Sequence, residues 1–352
     1  MRKALCCLLM IGLAISLVIT GCAKAPTPTP APTPAPFEPI TIKLATHYQS
    51  TGPVSESIQW FAEEVAKRSG NKVKIEFYFA QSLLKSQEIL EGVQAGTAEM
   101  GIVPQGFYEA QLPLNCISNP VFGKPDLSTL IRARHQLGEE FPVFEKEYQQ
   151  WGQKPLLYAG GDTYHMTARK PFRTLDDFKG AKVRTWGKYV PKWWSAAGAV
   201  PVSMTASEVY DGIGKGIVDI APGSYEIVSR WKWHEAAPYF TEVDSGAELF
   251  VTLSIKLDIW NSLPSDVQQV MLETAQEHGA YYTSLSDQQT AASKNNLVDA
   301  GVEIIEFPAA DRDRWKQLDE VKECREAWIE TAESKGYPGR DIMSRYLELI
   351  GY

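Results

Sequence analysis

Apolar and polar residues alternate along 40–46. Apolar residues then recur three or four apart at Val54, Ile58, Phe61, Ala62 and Val65, and alternation returns along 72–80. A period of two predicts a strand and a period of 3.6 a helix. Residues 40–46 and 72–80 therefore read as strands on either side of a helix over 54–69, with Gly70 placed to stop it. A helix over 86–95 and a strand over 99–103 complete a βαβαβ unit, the pattern of an open sheet covered by helices. A second unit starts near residue 163, with strands at 163–168, 182–186, 200–203 and 218–221 and helices at 174–178, 189–197 and 207–213. Further strands are predicted at 239–243 and 249–257, as crossings back towards the first unit. From Ser265 to residue 300 the pattern stays helical, about 54 Å at 1.5 Å per residue. A helix of that length exceeds one small lobe and is expected to brace both, with Gly279 as a place for a bend. A strand over 302–307 follows, then a helical tail whose Trp315, Leu318, Val321 and Trp328 share one stripe and read as packing.

The chain has 352 residues, enough for two domains by default, and a net charge of −8 with no long Lys/Arg run. Nothing in that balance points to nucleic acid. The first residues are of another kind. Arg2 and Lys3 precede an uncharged, largely apolar run over 4–20, which is the arrangement of a signal peptide. The run ends in Ile19-Thr20-Gly21-Cys22, which resembles the bacterial lipobox, so Cys22 is expected to become the lipidated first residue. Proline then stands at every second position from Pro26 to Pro36. Such a segment favours extended polyproline II and holds the folded domain roughly 40–50 Å above a bilayer. Of the cysteines beyond Cys22, Cys116 and Cys324 remain, and an oxidising compartment allows a disulfide between them. Cys324 shares a helical face with Val321 and Trp328, so a buried free thiol fits equally well.

The search for catalytic chemistry returns little. The chain holds neither a G-x-S-x-G elbow nor H-E-x-x-H, and the Ala-Ala-Pro after His234-Glu235 breaks the helix that a zinc site needs. Gly212-Ile-Gly214-Lys-Gly216 follows a helix where a phosphate loop follows a strand, so Gly216 reads as a helix stop. The five histidines lie at 47, 135, 165, 234 and 278, none with a partner at metal-ligand spacing. No enzyme, metal or cofactor is expected.

One stretch does raise a chemical question. The strand before Arg184 delivers that arginine among Trp186, Tyr189, Trp193 and Trp194, and no carboxylate lies between Lys179 and Val202. Its partner is a distant acid or a ligand. The segment Lys179-Gly180-x-Lys182-x-Arg184 is followed by Gly198-Ala199-x-Pro201, Met204, Glu208, Tyr210 and Val218-Asp219. Together these resemble the solute-binding proteins of TRAP transporters, of the DctP type. Residues 80–103 and 260–277 are similar to that family's first-lobe segment and long-helix entry, so the resemblance spans about 40 to 335.

The resemblance implies an α/β, two-lobed fold of the periplasmic-binding-protein type II, with a cleft between the lobes and a long helix bracing both. It implies capture of a small organic acid by lobe closure and delivery to TRAP membrane permease subunits. The partners are then that acid, the permease and, through the lipid anchor, the membrane, with an extracytoplasmic location. A solute-binding protein of another importer, or a ligand sensor, is the competing reading. The expected organisation is a lipoprotein signal peptide at 1–21 and a lipidated tether at 22–38. Lobe I takes 39–161 with about 249–288, and lobe II 162–248 with about 289–352.

By position, Arg184 is the family's carboxylate-binding arginine. Its planar fork matches a carboxylate in a way that lysine cannot. Where many members carry a ligand-contacting Asn, this chain has Gly223 or Ser224, with Tyr225 adjacent. Where sialate-type members carry a second arginine, it has Thr163-Tyr164, with Arg169 further on. Fewer polar anchors and more aromatics imply a ligand less polar than a dicarboxylate or sialic acid, with Trp186, Tyr164 and Tyr225 available to cover a ring or chain. Trp193 and Trp194 are neighbours on a helix and read chiefly as core. From the first lobe, His47, Tyr48, Gln105 and Phe107 stand at strand ends, where α/β sheets bind ligands.

Overall fold

The computed structural model describes residues 38–352; the signal peptide, Cys22 and the proline tether lie outside them. Nine strands form one mixed sheet: β1 (Ile40–Ala45), β2 (Val73–Tyr78), β3 (Met100–Pro104), β4 (Gln153–Ala168), β5 (Lys182–Thr185), β6 (Val200–Ser203), β7 (Ile220–Gly223), β8 (Tyr239–Lys256) and β9 (Glu303–Glu306). Their order is β2-β1-β3-β8-β4-β7-β5-β6, with β9 on β8. The β1–β2, β1–β3, β5–β6, β5–β7 and β8–β9 pairings are parallel. Helices cover the sheet, as the alternating pattern predicts. The Pro53–Arg68 helix starts on its proline and buries Val54, Ile58, Phe61, Ala62 and Val65.

Two strands depart from the prediction. β4 begins at Gln153 rather than near 163, and β8 runs through 239–256 without the break expected between 243 and 249. They pair antiparallel along most of their length and carry the sheet from the β1–β3 side to the β5–β7 side. The residues that hid this are Pro155, Gly160, Gly161 and the 244–248 stretch, which read as breaks in an apolar run. At the crossing they are needed. A Cβ on Gly160 would stand 1.8 Å from the Glu248 carbonyl oxygen and 2.9 Å from Leu249 Cα, so only glycine lets the two backbones approach this closely. Register slips cluster at the same place, between Ala159 and Gly160, Gly161 and Tyr164, and Tyr164 and Met166.

The helix Ser265–Asp299 runs for 35 residues, as the sequence predicts to within one residue. It packs on the Pro53–Arg68 helix, on β4 and on the short helix Tyr225–Arg230, so it touches both sides of the sheet. Its Tyr282 hydroxyl donates to the Gly160 carbonyl and pins the crossing. Gly279 sits where a Cβ would press on Ile131 at 3.1 Å, a close-packing position. The tail stripe is core: Trp315, Val321 and Trp328 are buried, and Trp328 Nε1 donates to the Pro113 carbonyl at 2.7 Å. Trp193 and Trp194 are buried as well. Cys116 and Cys324 are both buried free thiols, so the alternative to the disulfide is the one realised.

His278 of the long helix is fully buried, with Nε2 3.0 Å from the Ser57 hydroxyl and no partner for Nδ1. Burial pushes its pKa down to about 3, and those of His47 and His135 to about 4. These groups bind protons in the unfolded chain near pH 6.5 and in the native protein only well below that. Their stabilising effect is complete above about pH 6.5 and is lost as pH falls towards 4, at up to ~1.4 kcal/mol per pH unit for each histidine. The melting temperature is expected to fall across that window, and His278→Gln to flatten the fall. Parallel curves for variant and wild type in a thermal melt series would refute the assignment.

Candidate functional site

The carboxyl ends of β1, β3, β5, β6 and β7 open on one cavity of about 1190 Å3. This is the position that the geometry of α/β sheets dictates for a ligand site. Strand ends from both sides of the sheet contribute: His47 and Tyr48 after β1, Phe107 after β3, Arg184 and Trp186 at β5, Met204 and Thr205 after β6, and Ser224 after β7. The β4–β8 crossing supplies the rest through Gly161, Tyr164, Glu248 and Phe250.

Arg184 is only 8% exposed. Its Nε donates to the Met204 carbonyl at 3.1 Å, and its guanidinium carbon lies 4.1 Å from the centre of the Trp186 ring. It makes no salt bridge among the described residues. Burial lowers its pKa to about 10, which leaves it charged at neutral pH. A buried charge without a protein partner is costly, and such charges are found paired. The other cations of the wall differ. Arg230 is held by Glu226 at 2.5 Å, and Lys85 and Lys188 are exposed. Tyr164 and Trp186 lie side by side, ring centres 5.5 Å apart, and form an apolar wall next to the guanidinium.

Of the other residues expected at the site, His47, Tyr48, Phe107 and Ser224 line the cavity. Four expected residues do not. Gln105 is fully buried behind the wall, its Nε2 donating to Thr252 Oγ1 at 2.7 Å, because Pro104 and Gly106 take the cavity side. Tyr225 is buried on the far face of its helix, its hydroxyl donating to Glu242 at 2.7 Å and its ring 4.2 Å from that of Phe240. Gly223 is closed off by Trp233, whose Cζ3 a Cβ there would meet at 2.8 Å. Arg169 is exposed just past the end of β4, where its backbone N–H donates to the Asp219 carbonyl at 3.3 Å. The sequence reading missed Glu248, Phe250 and the Glu226–Arg230 pair. Glu248 fell in the gap left between two predicted strands, and no local motif marks it.

Among the described residues there is no group of His, Cys, Asp and Glu placed to hold a metal ion. No helix of the described residues is long and apolar enough to cross a membrane. A mixed sheet with a large cavity at its strand ends and, in the wall, a buried guanidinium with no acidic partner among the described residues is the architecture of a solute-binding protein. Residues 44–325 match the bacterial extracellular solute-binding proteins, family 7, and the chain belongs to that family. It is 26% identical over 285 residues to the C4-dicarboxylate-binding periplasmic protein DctP of Rhodobacter capsulatus, covering 80% of this chain and 84% of that one. A TRAP periplasmic solute-binding protein of Desulfovibrio salexigens was solved open, with the C-terminus of a symmetry mate in its ligand-binding site. It is 26% identical with a TM-score of 0.78, over 88% of this chain and 95% of that one. An extracytoplasmic solute receptor of Bordetella pertussis that binds pyroglutamic acid shares the fold at 21% identity and a TM-score of 0.75, over 88% and 100%. The protein is thus an extracytoplasmic solute-binding component of a TRAP transporter.

Proposed function

We propose that this protein captures a small organic acid with a flat or apolar body and presents it to the TRAP permease subunits. Arg184 takes the carboxylate, and Tyr164 and Trp186 cover the body. The observation that carries the reading is the buried Arg184 guanidinium, which faces the cavity with no acidic partner among the described residues. Relatives named for C4-dicarboxylates and pyroglutamic acid support a carboxylate ligand. With one buried unpaired guanidinium in the wall, this chain fits one carboxylate rather than two.

Residues 39–161 with about 249–288 form one lobe in this reading, and 162–248 with about 289–352 the other. The two close on the acid by bending at the β4–β8 crossing. A thermal-shift screen of organic acids tests the ligand class, since a ligand at a hundred times its Kd adds about 2.7 kcal/mol to stability. The best acid is expected to reduce the radius of gyration in small-angle scattering. A radius unchanged at saturation would leave a rigid pocket instead.

Cys22 is the lipid anchor in the same reading, and the proline tether sets the height of the domain above the membrane. Expressed in a bacterial host, the full chain is expected in the membrane fraction and Cys22→Ala in the soluble one. Soluble wild-type protein starting at another residue would sink this part of the reading.

A further inference from the structure

We infer that Glu248 is the second polar contact of the ligand site, an acceptor for a hydroxyl or N–H group that the bound acid carries besides its carboxylate. The inference rests on the reading that Arg184 takes the carboxylate. Glu248 stands in β8 opposite Gly161 of β4, at the strand crossing that forms part of the cavity wall. Its side chain is almost buried. Oε1 accepts from Lys124 Nζ at 3.0 Å, and among the described residues Oε2 has no hydrogen-bond donor. Lys124 is wholly buried, donates also to the Val121 carbonyl at 2.8 Å, and lies 5.1 Å from the centre of the Trp193 ring. The lysine therefore holds one oxygen of the carboxylate from behind and leaves the other to the cavity.

A carboxylate offers about four lone-pair sites, and one ammonium contact does not fill them. A buried ion pair is weak evidence for stability, since apolar residues of similar size often replace it without loss. Its place in a ligand wall gives it a use that packing does not. None of the other five carboxylates of the wall is held by a buried lysine: Glu88 and Asp162 accept from the Lys85 and Thr163 backbone N–H groups, and the remaining three have partners of their own. Glu226 binds Arg230, Glu208 caps the Thr205 backbone, and Glu109 accepts from Asn119. Glu248 lines the same cavity as Arg184 and Tyr164, and Trp186 stands next to both of the latter. An acceptor and a guanidinium in the wall of one cavity select a carboxylate that carries a donor, and the acceptor repels a second carboxylate.

The test compares acids of matched shape that differ in one donor. They are meta- and para-hydroxybenzoate against the corresponding fluorobenzoates, and the pyrrole α-carboxylate against the furan α-carboxylate. Affinities are measured by calorimetry on the folded protein. Wild type is expected to prefer at least one donor-bearing acid by about tenfold or more, the size of a hydrogen bond to a charged group. In Lys124→Met/Glu248→Leu that preference is expected to fall to within about twofold, as the acceptor is gone. Should the double variant fail to fold, Glu248→Gln is expected to reduce the preference at least about threefold, since a neutral amide accepts more weakly than a carboxylate. No preference in wild type, or an undiminished preference in the variant that folds, overturns the inference. If benzoate binds through Arg184 and no donor improves it, only the role of Glu248 fails. If none of these acids binds in an Arg184-dependent way, the underlying reading fails with it.

Discussion

Arg184→Ala is expected to weaken binding of the best organic acid from the screen by roughly 30-fold to several-thousand-fold. Truncating one partner of a buried, hydrogen-bonded charge pair costs ~2–5 kcal/mol, and each ~1.4 kcal/mol is tenfold. The protein itself loses little, because the side chain's one hydrogen bond to it is that from Nε to the Met204 carbonyl. Arg184→Lys keeps the charge without the fork and is expected to bind nearly as poorly. The methyl ester of the same acid gives the internal check. It is expected to bind wild type weakly and to lose far less on mutation than the free acid, which separates a direct contact from loosening of the wall. Titration calorimetry on both ligands reads the difference. A folded Arg184→Ala protein that binds the acid within about threefold of wild type would return Arg184 to a structural role.

Gly160→Ala is expected to be the most damaging single-methyl change in the chain. The added Cβ would come 1.8 Å from the Glu248 carbonyl oxygen and 2.8 Å from its carbon, both backbone atoms of a central strand that cannot swing aside. The two strands must part, and hydrogen bonds on both sides of the crossing go with them. A cost of roughly 4 kcal/mol or more places the variant among the exceptional ones. That corresponds to a fall in melting temperature on the order of 10 °C, if the variant folds at all. The neighbouring Gly161→Ala is the control. Its Cβ would meet ring atoms of Phe250 and Tyr164 at 3.0 and 3.1 Å, and side chains can give way. Gly161→Ala is therefore expected to keep most of its stability and to change ligand affinity, since it lines the cavity. Similar melting temperatures for the two variants would mean that the crossing is looser than its geometry implies.

What could be read in advance followed the local rules. The first βαβ unit and the long helix announce themselves by period alone, and Arg184 stands out because its surroundings hold nothing to neutralise it. The first half of β4 and the middle of β8 were illegible. Pro155, the Gly160–Gly161 pair and Gly246 are turn signals by composition, and only the partner strand shows why they are required. The site shows the same division. Residues at the ends of parallel strands could be placed in the wall, but which of two neighbours faces it could not. Gly106 turns to the cavity and Gln105 to Thr252; Ser224 lines it and Tyr225 turns to Glu242. Glu248 enters from an antiparallel strand more than sixty positions along the chain from Arg184, and no spacing rule reaches that far.

The continuity of β4 and β8 also restricts how such a protein can be recombined. If the halves are the two lobes proposed above, a chimera that takes one from this chain and the other from a relative cannot be joined at loops alone, because both long strands pass through the boundary. Each graft must be spliced once inside the long helix near 288 and twice inside a strand, near 160–164 and near 244–248. At the two strand points the register already slips, so a mismatch between parents is absorbed most easily there. Specificity is therefore expected to be exchanged more readily by altering the strand-end residues around the cavity than by trading halves.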